Sequence, residues 1–151
     1  WPLKNWAELA EKILDKYDFQ IILTGSEEDQ AFCKELTDIF PEIQSFCGEL
    51  DMAQSAALLS KCKTVISGDT GPLHTASALG VYTIGLYGAM PISRTGPYGK
   101  LNSVLILMPS FLQWSTPHIQ HINTFSLMDS AAVLMQPRKR KFLHSLMPYL
   151  R

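Results

Sequence analysis

Nothing in these 151 residues approaches the run of about 18 apolar positions that a membrane helix needs, and no signal-peptide pattern is visible. Charge of one sign is also missing: 13 Lys and Arg face 14 Asp and Glu, a net charge of -1. That balance argues against a basic protein that coats nucleic acid. Cysteine is scarce, with Cys33, Cys47 and Cys62 forming an odd set without metal-ligand spacing. An odd set favours a reducing, cytoplasmic compartment and buried thiols over a disulfide framework. Internal repeats and low-complexity segments are absent as well. What remains is 46% hydrophobic and 18% charged residues, the make-up of a soluble globular protein with length for one full core.

The chain alternates helix and strand patterns. Trp6, Leu9, Ala10, Ile13 and Leu14 recur at helical spacing over 4–16. Phe19-Gln20-Ile21-Ile22-Leu23 reads as a strand. A helix is expected over 27–40, with Ser26 as N-cap, acids in the first turn and Pro41 as the stop. A short strand at 43–47 and a helix over 51–61 capped by Asp51 follow. Then come strand 64–67, helix 72–79, strand 82–87, a Gly/Pro loop over 88–100 and strand 103–108. This order predicts an α/β domain, a Rossmann-like parallel sheet with helices on both faces. Past Met108 the pattern weakens: 109–125 reads as a loop of uncommon length and 128–135 as a helix. The basic run Arg138-Lys139-Arg140-Lys141 precedes an apolar-spaced tail.

Chemistry concentrates in Ser67-Gly68-Asp69-Thr70-Gly71-Pro72-Leu73-His74, where a buried strand gives way to a helix. In open α/β sheets that junction lies at the ligand-binding edge. A helix N-terminus there offers free N–H groups and partial positive charge to a phosphate. Asp69 is a candidate to hold a sugar hydroxyl or orient His74, against the plainer role of N-cap. Thr70 and the Gly71-Pro72 turn allow close backbone approach to a diphosphate. His74 is read as a phosphate-facing donor. Strand ends after 23, 67 and 87 converge on this one edge.

Three further motifs accompany that run. Trp1-Pro2 is followed by Trp6, Leu9 and Leu14; Leu23-Thr24-Gly25-Ser26-Glu27-Glu28-Asp29 leaves a strand; Arg94-Thr95-Gly96-Pro97-Tyr98-Gly99 forms a loop. In this order, over residues 1–100, the four resemble the ADP-heptose:lipopolysaccharide heptosyltransferases, glycosyltransferase family 9. The resemblance implies one half of a GT-B fold. The Trp-Pro opening lies mid-chain in that family and the chain does not begin with Met, so 1–151 is expected to be the C-terminal, donor-binding half, with the N-terminal acceptor domain and its catalytic base absent. No catalytic residue is therefore expected within the chain.

The implied reaction transfers heptose, or a related sugar, from an ADP-sugar to a lipopolysaccharide-type glycolipid. The implied donor-binding set is Asp69 on the sugar; Thr70, Gly71, Pro72, His74 and Arg94 on the diphosphate; Gly25 and Asp29 at the ribose; and Leu50 on the adenine. Glu27 and Glu28 compete with Asp29, and Leu50 and Met52 are equally well plain core. No metal or other cofactor is implied, because helix dipoles and side chains take up the diphosphate charge. His118 and His121 lack a third ligand nearby, which sets a metal reading aside. The glycolipid acceptor would be reached through the missing domain. It also keeps open a peripheral contact of run 138–141 with the inner membrane of a bacterium, against the slightly preferred reading of a solvated face. Leu73 in place of Met, and Ala89-Met90 in place of Pro-Thr, depart from the family pattern and bear on sugar choice. Two alternatives stay open: another nucleotide-sugar enzyme of epimerase type, and a non-catalytic nucleotide-binding or interaction module.

Overall fold

The computed structural model describes residues 1–87, 92–98, 104–106 and 132–137. Helix α1 (Leu3–Lys16) buries Trp6, Ala10 and Ile13, one stripe at i, i+4 and i+7. Trp1 packs edge-on against Trp6, ring centroids 4.9 Å apart. Strand β1 (Phe19–Thr24) buries its last four residues without alternation, as a strand covered on both faces must. A single 3-10 turn (Glu27–Asp29) leads into α2 (Gln30–Ile39), and a short β2 (Gln44–Ser45) follows. Helix α3 (Met52–Ser60) starts from a reciprocal cap: the Gln54 N–H donates to Asp51 Oδ1, and Gln54 Oε1 accepts from the Asp51 N–H. Strand β3 (Thr64–Gly68), α4 (Gly71–Ala78), β4 (Tyr82–Tyr87), α5 (Ile92–Thr95), β5 (Val104–Ile106) and β6 (Ala132–Pro137) complete the order.

Among the described residues, six strands form one sheet in the order β2-β1-β6-β3-β4-β5. The pairs β1–β2, β3–β4 and β4–β5 are parallel. Alternation along β1 divides the core. Ile21 and Leu23 join Trp6, Ala10, Ile13, Cys33 and Leu36 from α1 and α2 on one face. Ile22 joins Leu58, Leu59, Val65 and Ala76, including α3 and α4 residues, on the other. Each fully buried aliphatic side chain contributes about 1.5–3 kcal/mol relative to exposure, so both layers are needed to hold the sheet. Among the described residues no helix is long and apolar enough to cross a membrane.

Three expectations are corrected. Residues 132–135, read as part of a helix, lie in β6, antiparallel between β1 and β3. Without it those two strands would present unpaired N–H and C=O groups to each other, so the surroundings override a helix-compatible spacing. Pro137, which cannot donate to a ladder, is its last residue. The cysteines are corrected too: Cys33 of α2 and Cys47, just past β2, form a disulfide across 14 residues, leaving Cys62 free and buried. The fold, not their spacing, brings their Cα atoms to 6.7 Å. The loop expected over 88–100 contains α5. Residues 109–125 with His118 and His121, and run 138–141, lie outside the described residues.

Candidate functional site

The junction after β3 is built by local rules. Thr70 is the residue preceding α4, in extended conformation, and Pro72 occupies the first turn, where a missing N–H leaves no helical bond unmade. Asp69 therefore does not cap the helix. Its Oδ1 lies 2.9 Å from Nε2 of His74, one turn further on. The two side chains are 25% and 44% exposed, a degree at which an ion pair adds little to stability; what the pair fixes is orientation. Thr70 Oγ1 lies 2.8 Å from Oγ of fully buried Ser67. Among the described residues, a Cβ added to Gly71 would meet nothing within 4 Å, so none of them fills the space beside the start of α4.

A residue that the sequence pattern places only in a strand belongs to this cluster. Tyr87 ends β4, is 1% exposed, and its hydroxyl lies 3.0 Å from the Thr95 carbonyl and 3.4 Å from Asp69 Oδ1. Burial, then the Asp69 charge and hydrogen bond, push its phenol up to about 12. The one signal in the sequence is a phenol at the very end of a strand that delivers a loop to the ligand edge. Ser77 Oγ of α4 donates to the Tyr98 carbonyl at 3.2 Å, so segment 92–98 is tied to α4 as well as β4. Arg94 and Tyr98 on that segment are exposed, Tyr98 almost fully.

The second cluster lies after β1. Asp29, expected as a solvated first-turn acid or a ribose partner, is buried, and its Oδ2 accepts from both N–H and Oγ–H of Ser26 at 2.8 Å. Glu27 and Glu28 beside it are exposed. The carbonyl of Gly25 accepts from the Gly48 N–H at 3.0 Å, which lays the loop after β2 against the loop after β1. Gly48 has φ +73°, and a Cβ there would come 2.9 Å from Glu27 Cα, so the approach needs glycine. Leu50 is partly buried against the α3–α4 core layer, while neighbouring Met52 is exposed.

The structure thus joins Asp69, Thr70, Gly71, Pro72 and His74 with Tyr87 and Thr95, and separately joins Gly25 and Asp29 with the Gly48 loop. Strand β6 stands between the two groups. Its Ala132 is paired with Thr24 on one side and Ser67 on the other, so β1 and β3 are about 10 Å apart at this edge. Arg94 is not joined to either group by a side-chain hydrogen bond or ion pair among the described residues. Those residues also include no cluster of three His, Cys, Asp or Glu placed to hold a metal ion.

Fold and site together define a Rossmann-like α/β domain with a strand-to-helix junction at the carboxyl edge of its sheet, the position at which such folds take ligands. The family model of Glycosyltransferase family 9 (heptosyltransferase) matches residues 1–113, and the chain belongs to that family. Lipopolysaccharide heptosyltransferase 2 of Escherichia coli (strain K12) is 31% identical over 116 residues, covering 74% of this chain and 33% of that protein. Lipooligosaccharide heptosyltransferase 2 of Haemophilus ducreyi is 31% identical over 115 residues, 72% of this chain and 33% of the relative. The solved structure of E. coli ADP-heptose LPS heptosyltransferase II superposes with a TM-score of 0.59 at 25% identity, over 71% of this chain and 33% of that one. The chain spans about a third of the length of the curated relatives it matches.

Proposed function

We propose that this chain is the donor-binding half of a glycosyltransferase that moves heptose, or a related sugar, from an ADP-sugar to a lipopolysaccharide-type glycolipid. The observation that carries this reading is the Asp69–His74 pair, 2.9 Å apart, beside a start of α4 that none of the described residues covers at Gly71. Family membership and the names of the relatives, lipopolysaccharide and lipooligosaccharide heptosyltransferases, support it. The choice of ADP follows the solved relative, an ADP-heptose LPS heptosyltransferase.

In this reading a base on the acceptor-binding half takes the proton of the acceptor hydroxyl. The freed oxygen attacks the anomeric carbon as the bond from that carbon to the diphosphate oxygen breaks, and ADP leaves with the electron pair. The chain's own part is electrostatic. The start of α4 with Thr70, Gly71, Pro72 and His74, aided by Arg94, takes up charge that grows on the leaving diphosphate. Asp69 accepts a sugar hydroxyl. Gly25 and the acid at Asp29 border the ribose; among the described residues Ser26 engages Oδ2 of Asp29 and no side-chain hydrogen bond engages its Oδ1. Leu50 borders the adenine. The 151 residues alone bind donor and do not turn it over. A peripheral contact of run 138–141 with anionic phospholipid stays the alternative to a solvated face, and vesicle binding with and without replacement of its four basic residues decides between them.

The test is calorimetric titration of the chain with ADP, UDP and GDP, repeated on Asp69→Ala and His74→Ala. Selective ADP binding weakened by His74→Ala is expected. Preference for UDP or GDP refutes the donor assignment, and affinities unmoved by either substitution refute the site.

A further inference from the structure

The Tyr87 hydroxyl is the one polar atom of a side chain otherwise locked in the core. Gly85, two residues earlier on the same face of β4, makes the seat for its ring: a Cβ there would come 2.6 Å from Tyr87 Cε2. With the ring so held, the hydroxyl reaches acceptors on two different elements, the Thr95 carbonyl at 3.0 Å and Asp69 Oδ1 at 3.4 Å. A phenol has one proton to donate, so these two acceptors share it. Its ionisation point of about 12 keeps that proton in place throughout the neutral range. From the other side, Asp69 Oδ1 is met by His74 Nε2 at 2.9 Å. Oδ1 is thereby held between β4 and α4, and Oδ2 makes no hydrogen bond among the described residues. Oδ2 is the oxygen left for a ligand.

We propose that Tyr87 is a positioning residue of the donor site: its one hydroxyl proton ties Asp69 Oδ1 to the Thr95 carbonyl, so that Asp69 Oδ2 is aimed at the sugar only while segment 92–98 is seated on β4. This rests on the donor-site reading above. The Ser77 Oγ bond to the Tyr98 carbonyl, at 3.2 Å, holds the same segment from α4. The coupling joins the part of the site after β3 to the part after β4, which no residue of the Asp69–His74 run does by itself.

The experiment is a double-mutant cycle on the 151-residue chain, reading calorimetric affinity for ADP and for ADP-heptose in wild type, Tyr87→Phe, Asp69→Ala and the double variant. Tyr87→Phe keeps the ring and removes the proton. It is expected to weaken ADP-heptose about tenfold, the scale of one hydrogen bond to a charged group, and to leave ADP within about twofold. In the Asp69→Ala background it is expected to change nothing further. An equal loss for both ligands marks a packing effect and overturns the proposal, as do no loss for either and a full loss that persists without Asp69. Failure of the wild-type chain to bind either ligand refutes the donor-site reading instead. The Tyr87–Asp69 coupling is then decided by carbon NMR titration of the Tyr87 phenol. Asp69→Asn lowers its ionisation point if the contact holds, and an unchanged value overturns the coupling.

Discussion

Gly85→Ala is the substitution whose consequence the packing defines most sharply. The new Cβ would lie 2.6 Å from Tyr87 Cε2, 3.3 Å from Tyr87 Cδ2 and 3.1 Å from Leu73 Cδ2. Carbon atoms settle at about 3.5–4.0 Å, so the ring must retreat by about 1 Å. It has nowhere to go, because Leu73 and Tyr87 are 0% and 1% exposed. Gly85 is not among the positive-φ glycines, so the backbone accepts alanine and the whole effect is steric. Overpacking of this kind costs about 1–3 kcal/mol, and a displaced hydroxyl forfeits about 1 kcal/mol more in its bond to Thr95. A loss of about 2–4 kcal/mol lowers Tm by roughly 4–16 °C in a domain of this length. Thermal melts followed by circular dichroism measure it. A Tm within about one degree of wild type refutes the reasoning. So does an unreduced cost in a Tyr87→Leu background, where the struck ring is gone and the penalty should fall below about 1 kcal/mol.

Two further expectations concern thiols and alkali. Alkylation of the unreduced, denatured chain labels one cysteine, Cys62; labelling of all three would contradict the Cys33–Cys47 bridge, whose 14-residue separation makes it worth about 3 kcal/mol and whose reduction therefore lowers Tm. Burial pushes the Cys62 thiol from 9.0 up to about 12, and burial with Asp69 pushes the Tyr87 phenol from 10.0 up to about 12. Both groups hold their protons more tightly folded than unfolded. Their contribution is complete below the unfolded values of 9.0 and 10.0 and is lost as pH rises toward about 12. The denaturation midpoint should thus decline above pH 9.0, less steeply in Cys62→Ala, and a midpoint that climbs over that interval counters the assignment.

Which parts of the molecule could be read in advance follows from how far their causes reach along the chain. The stripe of Trp6, Ala10 and Ile13, the strand read at 19–23, Asp51 as N-cap and strand 82–87 each depend on a few neighbouring residues, and each stands where its pattern puts it, the first strand running on to Thr24. Strand β6 does not: helix-compatible spacing over 128–135 is overruled by a slot between β1 and β3 that only the assembled sheet creates. The Cys33–Cys47 bridge fails to show for the same reason. Asp29 lies between the cases, since Ser26 three residues earlier could announce the cap but not the burial that accompanies it.

The candidate site repeats this division within itself. Asp69, Thr70, Gly71, Pro72 and His74 lie within six consecutive positions because the single turn from β3 into α4 carries them all. A motif of that kind is visible as a string. What holds Asp69 at its angle comes from 18 residues later, in Tyr87, and Tyr87 in turn answers to Gly85 below it and Thr95 beyond it. No spacing rule links these residues, because their neighbourhood is made by the parallel pairing of β3 with β4, Ser67 opposite Gly85 and Gly68 opposite Leu86. A change to Tyr87 or Gly85 would leave the motif intact as text while altering the carboxylate that gives it meaning. Relatives that keep Asp69 and His74 but replace Tyr87 would therefore need another donor on Asp69 Oδ1, and finding them active without one would count against the proposed coupling.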